Sequence, residues 1–236
     1  MEVWYAVVQF FSNGGVFMYP IVLLLALGVG IAVERYITLS LAAKKDRQTW
    51  EKLEPLMRKG EFEQARDVAV KDDSSIAQLL AAGLARQAAV RRREDIDRAM
   101  EETLMAIIPR LEKRTHYLAT FANMSTLAGL LGTIIGLIHA FTAVSHADLA
   151  DKAELLSASI SIGMNCTAFG LMVAIPLVLV HSLLQTKTTE LIDSLEMVSV
   201  KVVNSIAERA QYVRPAVRSV EASSSMDAQA PVPSHA

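Results

Sequence analysis

Residues 115–147, THYLATFANMSTLAGLLGTIIGLIHAFTAVSHA, contain no Asp, Glu, Lys or Arg. Two further segments share this property, residues 3–33 and residues 155–186. About 20 apolar residues in a helix already cross the hydrocarbon core of a bilayer, which is about 30 Å thick. All three segments exceed that length, so the sequence predicts three membrane spans.

The remainder of the chain is rich in charge, because it holds all 23 basic and all 25 acidic residues. A soluble fold would need three helices that are apolar nearly all round to share one core in a 25.7 kDa protein. Too little amphipathic material would be left to cover that core. We therefore expect an all-α, polytopic membrane protein with three transmembrane helices, two of them long and extending into a cytoplasmic helical domain.

Composition excludes several classes of function. A net charge of −2 and 6% aromatic residues give no basic, aromatic surface for nucleic acid. The single cysteine, Cys166, permits no intramolecular disulfide and no Cys-x-x-Cys metal site. No nucleophile–base constellation or phosphate-binding loop occurs in the sequence. We expect no enzymatic activity and no cofactor or metal.

The basic residues predict the orientation. Sixteen of the 23 Lys and Arg lie in residues 39–114 and five follow residue 186, whereas Lys152 alone lies between the second and third uncharged segments. Positive residues stay on the cytoplasmic side of a membrane. The N-terminus and the loop at residues 145–154 should therefore face out, and the middle segment and the C-terminus should face in.

Turn and cap signals divide the chain further. Gly14 and Gly15 should precede the first span, Lys59 and Gly60 should form a turn, and the polar residues 72–75 should cap a helix that starts near Ile76. Helical spacing from residue 94 continues into the second span with Pro109 as the only break signal. The predicted segments are an interfacial N-terminal helix (1–15), the first span (16–37), a cytoplasmic helical domain (38–114), the second span (115–144), a loop (145–154), the third span (155–186), a cytoplasmic helix (187–218) and a disordered tail (219–236).

Small and hydroxyl-bearing residues form one face of the second span and one face of the third. They recur every three or four residues, at Thr126, Gly129, Thr133, Gly136 and Ala140, and at Ser159, Gly163, Cys166 with Thr167, Gly170 and Ala174. Such residues let membrane helices pack closely. The hydroxyls of Thr133 and Thr167 lie mid-span and could instead serve an ion or a chain of water molecules, although a threonine can also bond to its own helix.

Neither of these two spans carries a carboxylate, although proton relays in membranes normally use a titratable group. His139 and His181 lie toward the span ends, away from the middle. Any ion pathway here would therefore need a carboxylate from another polypeptide.

Two motifs resemble those of a known family. The stretch GLLGTIIGLIHAF at residues 129–141 and the stretch TAFGLMVAIP at residues 167–176 resemble the span signatures of the MotA/TolQ/ExbB proton-channel family. The resemblance in length and topology covers residues 16–209 and follows the ExbB and TolQ branch. By position, Thr133 and Thr167 match the pore-facing threonines of that family, and Pro176 matches the proline that ends the second motif.

The resemblance implies a ring of five copies in a bacterial inner membrane around a dimer of a single-span, ExbD/TolR-like partner whose membrane Asp supplies the missing carboxylate. The ion motive force would then do work on a TonB/TolA-like or other client, with the N-terminus periplasmic and the C-terminus cytoplasmic. We predict an ion pathway at Thr133, Thr167, Thr126, Cys166 and Ile162, and helix packing at Gly129, Gly132, Gly136, Gly163, Gly170 and Pro176.

One residue departs from the ExbB and TolQ pattern, because Ile162 stands where that pattern has Glu. The surrounding stretch fits MotA-like sequences comparably. Protons are favoured over sodium as the ion, and a MotA-like stator for motility is the alternative function. A membrane scaffold that conducts no ions is the alternative of another class.

Overall fold

The computed structural model describes residues 14–89, 93–148 and 150–227, with side chains except at residues 88, 89, 146 and 208–227. Most of the predicted interfacial N-terminal helix and residues 228–236 of the predicted tail lie outside these ranges. The helices within them are α1 (Met18–Lys59), α2 (Phe62–Val70), α3 (Ser75–Ala89), α4 (Arg93–Glu112), α5 (Thr115–His146) and α6 (Lys152–Asp227). The described residues contain no strand, so the all-α fold class is confirmed.

Three helical stretches are long and apolar enough to cross a membrane, and they lie in α1, in α4 with α5, and in α6. The chain divides into two compact units. An apolar unit comprises the chain up to Leu39 together with Glu112–Thr189, and a charge-rich unit comprises Ser40–Leu111 together with the chain from Glu190 onward.

The apolar unit is held by side chains from three helices. Its buried cluster consists of Met18 and Ile21 from α1, Ala122 from α5, and Cys166, Phe169, Val173, Ala174 and Leu177 from α6. Many large apolar side chains on the same helices are exposed, among them Leu127 on α5 and Ile175 on α6. A helix that is apolar on its outer face as well as its inner face is suited to a lipid or protein environment.

The charge-rich unit has an ordinary amphipathic core. The apolar positions that the helical spacing singled out, Ile96, Met100, Leu104, Ile107 and Leu111 on α4 and Leu191, Leu195, Val198, Val202 and Ile206 on α6, are all buried. Arg93 also donates from Nη2 to Asn204 Oδ1 at 3.0 Å, which joins α4 to α6.

Both predicted turns in the charge-rich unit are confirmed. Gly60 adopts a φ of 74°. The N–H groups of Gly60 and Glu61 donate to the carbonyls of Met57 and Leu56 at 3.1 and 3.0 Å, which is the Schellman pattern for ending a helix. Ser74 accepts the N–H of Ala77 at its hydroxyl and so caps α3.

A buried carboxylate joins α1 to the start of α3. Asp46 is 5% exposed, and its Oδ1 accepts the N–H of Ile76 at 3.2 Å. Burial raises the pKa of Asp46, although the N–H groups of Ile76 and Ser75 oppose that shift. The pKa of nearby Asp72 is lowered: burial works against its charge, but the Ser74 N–H, the Thr49 hydroxyl and Lys45 together outweigh it.

Two predictions differ from the structure. The helix from residue 94 does not run unbroken into the second span, because the chain turns at Lys113 and Arg114, where Arg114 adopts a left-handed φ of 67°, and α5 begins at Thr115. Pro109 lies inside α4 and does not end it. Residues 219–227 were predicted to be disordered but belong to α6, because extending an existing helix is far easier than nucleating one.

Candidate functional site

The faces of α5 and α6 that carry small residues pack directly against each other. The neighbours run in opposite order along the two helices, from Ser125 beside Gly170 to Gly136 beside Gly163, so the helices are antiparallel. The five-residue connection at 147–151 is short enough to require this arrangement.

The glycines are needed because the backbones approach each other closely. A Cβ atom added to Gly129 would lie 3.1 Å from the Cα of Thr167, and one added to Gly163 would lie 3.0 Å from the Cα of Thr133. A Cβ on Gly170 would lie 2.6 Å from the carbonyl oxygen of Ser125. Backbone atoms cannot rotate aside as a side chain can, so these positions exclude any larger residue unless the helices separate.

Gly132 faces a side chain instead. A Cβ atom at this position would overlap Sγ of Cys166, which is itself only 1% exposed. Cys166 therefore fills the space that Gly132 leaves open between the two helices. Its predicted place on the ion pathway stays a prediction.

Thr133 and Thr167 meet at this contact. Their hydroxyl groups are hydrogen-bonded to each other. Thr167 Oγ1 also donates to the carbonyl of Gly129 at 2.9 Å, and Thr133 Oγ1 lies 3.2 Å from the carbonyl of Gly163. Both side chains are half-buried. The two threonines that sequence motifs singled out on separate helices thus form one polar pair in the apolar unit.

The chemistry of the pair follows from its proton count. Each hydroxyl has one proton and two lone pairs. The two protons cannot serve the bond between the hydroxyls and the contacts to the carbonyls of Gly129 and Gly163 at the same time. Either one hydroxyl donates to the other and the second donates to a carbonyl, or both donate to carbonyls and the bond between the hydroxyls is given up. In both arrangements oxygen lone pairs remain that can accept a hydrogen bond from an acid or from water, or coordinate a small cation. Neither hydroxyl can act as a base at physiological pH, so the pair needs an acid from elsewhere to move protons.

Other predicted pathway residues lie apart from this pair. Thr126 donates to the carbonyl of Ala122 on its own helix at 3.2 Å. Ile162 is 40% exposed, and its Cγ2 is 3.1 Å from where a Cβ of Gly15 would be, so it faces the start of α1. Pro176, which was predicted for helix packing and not for the pathway, lies within α6, and its side chain is exposed.

Sequence reasoning missed contacts at one end of the apolar unit. Glu34 pairs with Arg114 at 2.6 Å, and Arg35 donates from Nε to the hydroxyl of Thr115 at 3.3 Å. The sequence showed charges at the ends of the uncharged segments but not which of them meet, because the partners are 80 residues apart along the chain.

Three helical stretches long and apolar enough to span a membrane, with a hydroxyl pair between two of them, define a polytopic helical membrane protein. The sequence profile described as the MotA/TolQ/ExbB proton channel family matches residues 71–197, more than half of the chain. The chain therefore belongs to that family, as its two motifs indicated.

Individual relatives agree with this assignment. The chain is 30% identical over 190 residues to a putative biopolymer transport protein, ExbB-like 1, of a Synechocystis species, which covers 78% of this chain and 72% of the relative. It is 38% identical over 90 residues to the Tol-Pal system protein TolQ of Haemophilus influenzae, covering 38% of this chain and 39% of the relative. It is 31% identical over 80 residues to the biopolymer transport protein ExbB of Aquifex aeolicus, covering 34% of this chain and 53% of the relative.

Proposed function

We propose that this chain is the ring-forming subunit of an ion-driven motor in a bacterial inner membrane, and that the Thr133–Thr167 pair lies on the ion pathway. The observation that carries the proposal is the pair itself: two hydroxyls hydrogen-bonded to each other across α5 and α6, in spans that contain no carboxylate. Packing alone does not require hydroxyls at the contact, since the glycines already allow the close approach.

The absent acid is assigned to a partner. A single-span, ExbD/TolR-like protein with an Asp in its membrane helix would supply the titratable group, and the hydroxyl pair would accept a hydrogen bond from that acid or from the water it exchanges protons with. A dimer of this partner inside a ring of five copies of the chain is the assembly that the family membership supports. Protons are favoured as the ion, with sodium as the alternative.

The work is directed across the membrane. The basic residues favour a periplasmic N-terminus and a cytoplasmic C-terminus. With this orientation the client would be a TonB/TolA-like protein that reaches the periplasm or the outer membrane. The names of the matched relatives, which refer to biopolymer transport and to the Tol-Pal system, support this choice of client.

The test separates the hydroxyl of each threonine from the branched shape of its side chain. Thr133→Val and Thr167→Val remove the oxygen, whereas Thr133→Ser and Thr167→Ser keep it. Thr120→Val is the matched control, because Thr120 is also on α5 and donates to the carbonyl of His116, but it is exposed and has no part in the pair. Each variant is co-expressed with the products of the neighbouring genes, purified as a complex and reconstituted into vesicles for ion-flux measurement under a proton or a sodium gradient.

We expect the valine variants at the pair to lose flux while the serine variants and the control keep it. Normal flux in both valine variants, with assembly preserved, would contradict the proposal and favour the scaffold. Flux that responds only to the sodium gradient would identify sodium, and not the proton, as the transported ion. If this chain restores motility to a stator-deficient cell and has no effect on transport, its client is flagellar and not TonB/TolA-like.

A further inference from the structure

Three consecutive residues near the middle of α1 contact other parts of the apolar unit, two of them at the start of α5 and the third on α6. The Glu34 carboxylate pairs with Arg114 at 2.6 Å, and the Arg35 Nε–H bonds to the Thr115 hydroxyl at 3.3 Å. The Tyr36 ring lies under the ammonium of Lys187 on α6, 4.0 Å from nitrogen to ring centroid. We call these three contacts the polar clamp.

The clamp includes a left-handed backbone position. Arg114 is the one non-glycine residue with positive φ among the described residues, at 67°. An L-residue with a Cβ disfavours the left-handed region, and no Gly or Asn stands here to relieve the strain. Without tertiary contacts, α4 and α5 would be expected to join through an ordinary right-handed turn. The contacts beside the bend are the ion pair between Arg114 and Glu34 and the hydrogen bond that Arg35 donates to the Thr115 hydroxyl.

The bend also sets the rotation of α5. Thr115 is the first residue of α5, and Thr133 follows 18 residues later, which is five helical turns or about 27 Å. A helix is stiff over that length, so the direction in which Thr115 points fixes the direction in which Thr133 points. A slip of one residue at Thr115 would turn Thr133 by about 100° and move it by about 1.5 Å, away from Thr167.

Burial supports a specific fit at Thr115. Arg35 is 4% exposed and Thr115 is 2% exposed, whereas the Glu34 and Arg114 side chains are 47% and 46% exposed. The hydrogen bond between Arg35 and Thr115 is thus enclosed by protein, whereas the ion pair between Glu34 and Arg114 is half-exposed. The clamp is within the same compact unit as the threonine pair, and α5 connects Thr115 of the clamp directly to Thr133 of the pair.

We propose that Glu34 and Arg35 are positioning residues for the Thr133–Thr167 pair: they hold the bend at Arg114, and the bend fixes the rotation of α5 that brings the two hydroxyls together. The link to ion flux rests on the proposed function, but the geometric link does not.

The experiment reads the geometry by a cross-link. In a Cys166→Ala background, which removes the only cysteine, Thr133→Cys and Thr167→Cys place two thiols where the two hydroxyls meet. Disulfide formation under mild oxidation in membranes then reports their proximity. The measured quantity is the cross-linked fraction of assembled protein, so a change in expression or in the yield of folded protein does not affect it.

Variants of the clamp are added to this parent. Glu34→Gln and Arg114→Ala should lower the cross-linked fraction about two- to fivefold, the population change that the loss of one half-exposed ion pair gives. The charge exchange Glu34→Arg with Arg114→Glu should restore most of it. Glu54→Gln is the matched control, since it breaks an ion pair of 2.9 Å between Glu54 and Arg58 on the same helix, outside the clamp.

Arg114→Gly separates the bend from the ion pair. Glycine adopts the left-handed region without strain, so this variant keeps the bend although it loses the pair, and its cross-linked fraction should stay near that of the parent. Equal losses in Arg114→Gly and Arg114→Ala would overturn the role of the bend. Unchanged cross-linking in Glu34→Gln and Arg114→Ala would overturn the proposal as a whole.

Flux distinguishes this inference from the proposed function. In protein with Thr133 and Thr167 intact, Glu34→Gln should lower flux in proportion to the cross-linked fraction, and the charge exchange should restore it. If the unaltered complex carries no flux but the cross-linking pattern holds, the proposed function fails and the positioning role stands. If flux is normal and cross-linking does not respond to the clamp, the positioning role fails alone.

Discussion

Gly129→Ala tests the closest part of the contact between α5 and α6. The added Cβ would lie 3.1 Å from the Cα of Thr167, 3.2 Å from the carbonyl oxygen of Cys166 and 3.3 Å from the Cα of Gly170. Ordinary contacts begin near 3.4 Å. All three neighbours belong to the backbone of α6, so the two helices must move apart by roughly 0.3–0.5 Å to restore ordinary contact distances.

That separation weakens the threonine pair. The bond from Thr167 to the carbonyl of Gly129 is 2.9 Å and tolerates the shift, but the 3.2 Å contact from Thr133 to the carbonyl of Gly163 would lengthen to the limit for a hydrogen bond or beyond it. Overpacking costs about 1–3 kcal/mol and a lost hydrogen bond about 1 kcal/mol, against a gain of about 1 kcal/mol in helix propensity. We expect a net loss of about 1–3 kcal/mol.

Thermal unfolding of the purified protein in detergent measures this loss. At roughly 2–4 °C per kcal/mol, the melting temperature should fall by about 2–12 °C. Gly30→Ala is the matched control: Gly30 lies on α1 with no atom within 4 Å of its added Cβ, so the melting temperature should be equal or higher. Equal melting temperatures of Gly129→Ala and Gly30→Ala would refute the close approach of α5 and α6.

Three further predictions follow from the described contacts. Gly132→Ala should lower the melting temperature by a similar amount, because its Cβ overlaps Cys166 Sγ. Adding Cys166→Gly should recover at least half of the loss. A double variant no more stable than the single one would contradict that overlap. For Asp46, the raised pKa means that its favourable contribution is full below the unfolded value of about 3.9 and is lost as the pH rises through the folded value. Asp46→Asn should therefore match the parent near pH 4 and be the more stable protein at pH 8 in chemical denaturation, and an equal difference at both pH values would refute this reasoning. Ile162→Glu should assemble, because the position is 40% exposed. Its flux should depend on pH, whereas the flux of Ile162→Gln should not. Failure of both variants to assemble would contradict the exposed position.

Local sequence signals located most of the helical elements. The lack of charge in three long segments needs no tertiary context, since a bilayer selects such segments by length and composition alone. Gly60 ended α1 as predicted, because the left-handed end of a helix favours glycine. The apolar spacing of α4 and of the charge-rich part of α6 identified buried residues correctly, because a helix presents one face to its core.

The break between α4 and α5 could not be predicted in the same way. Arg114 is not a residue that favours a left-handed turn, and the breaker that the sequence does offer, Pro109, is accommodated inside α4. The turn depends on contacts with Glu34 and Arg35, which are about 80 residues distant in the chain. A signal that depends on such distant partners cannot be recognised in a local window.

The sequence by itself determined the class of the protein, the small-residue faces and the identity of the two threonines, since each depends on residue type and helical period. The tertiary structure alone decided that the threonine hydroxyls bond to each other, that Cys166 fills the space beside Gly132, and that Ile162 faces the start of α1. The physical reason is that a helical period fixes which residues share a face but leaves open how far two helices slide and rotate against each other. Contacts between distant parts of the chain, among them the close backbone contacts at the glycines of α5 and α6, decide that position.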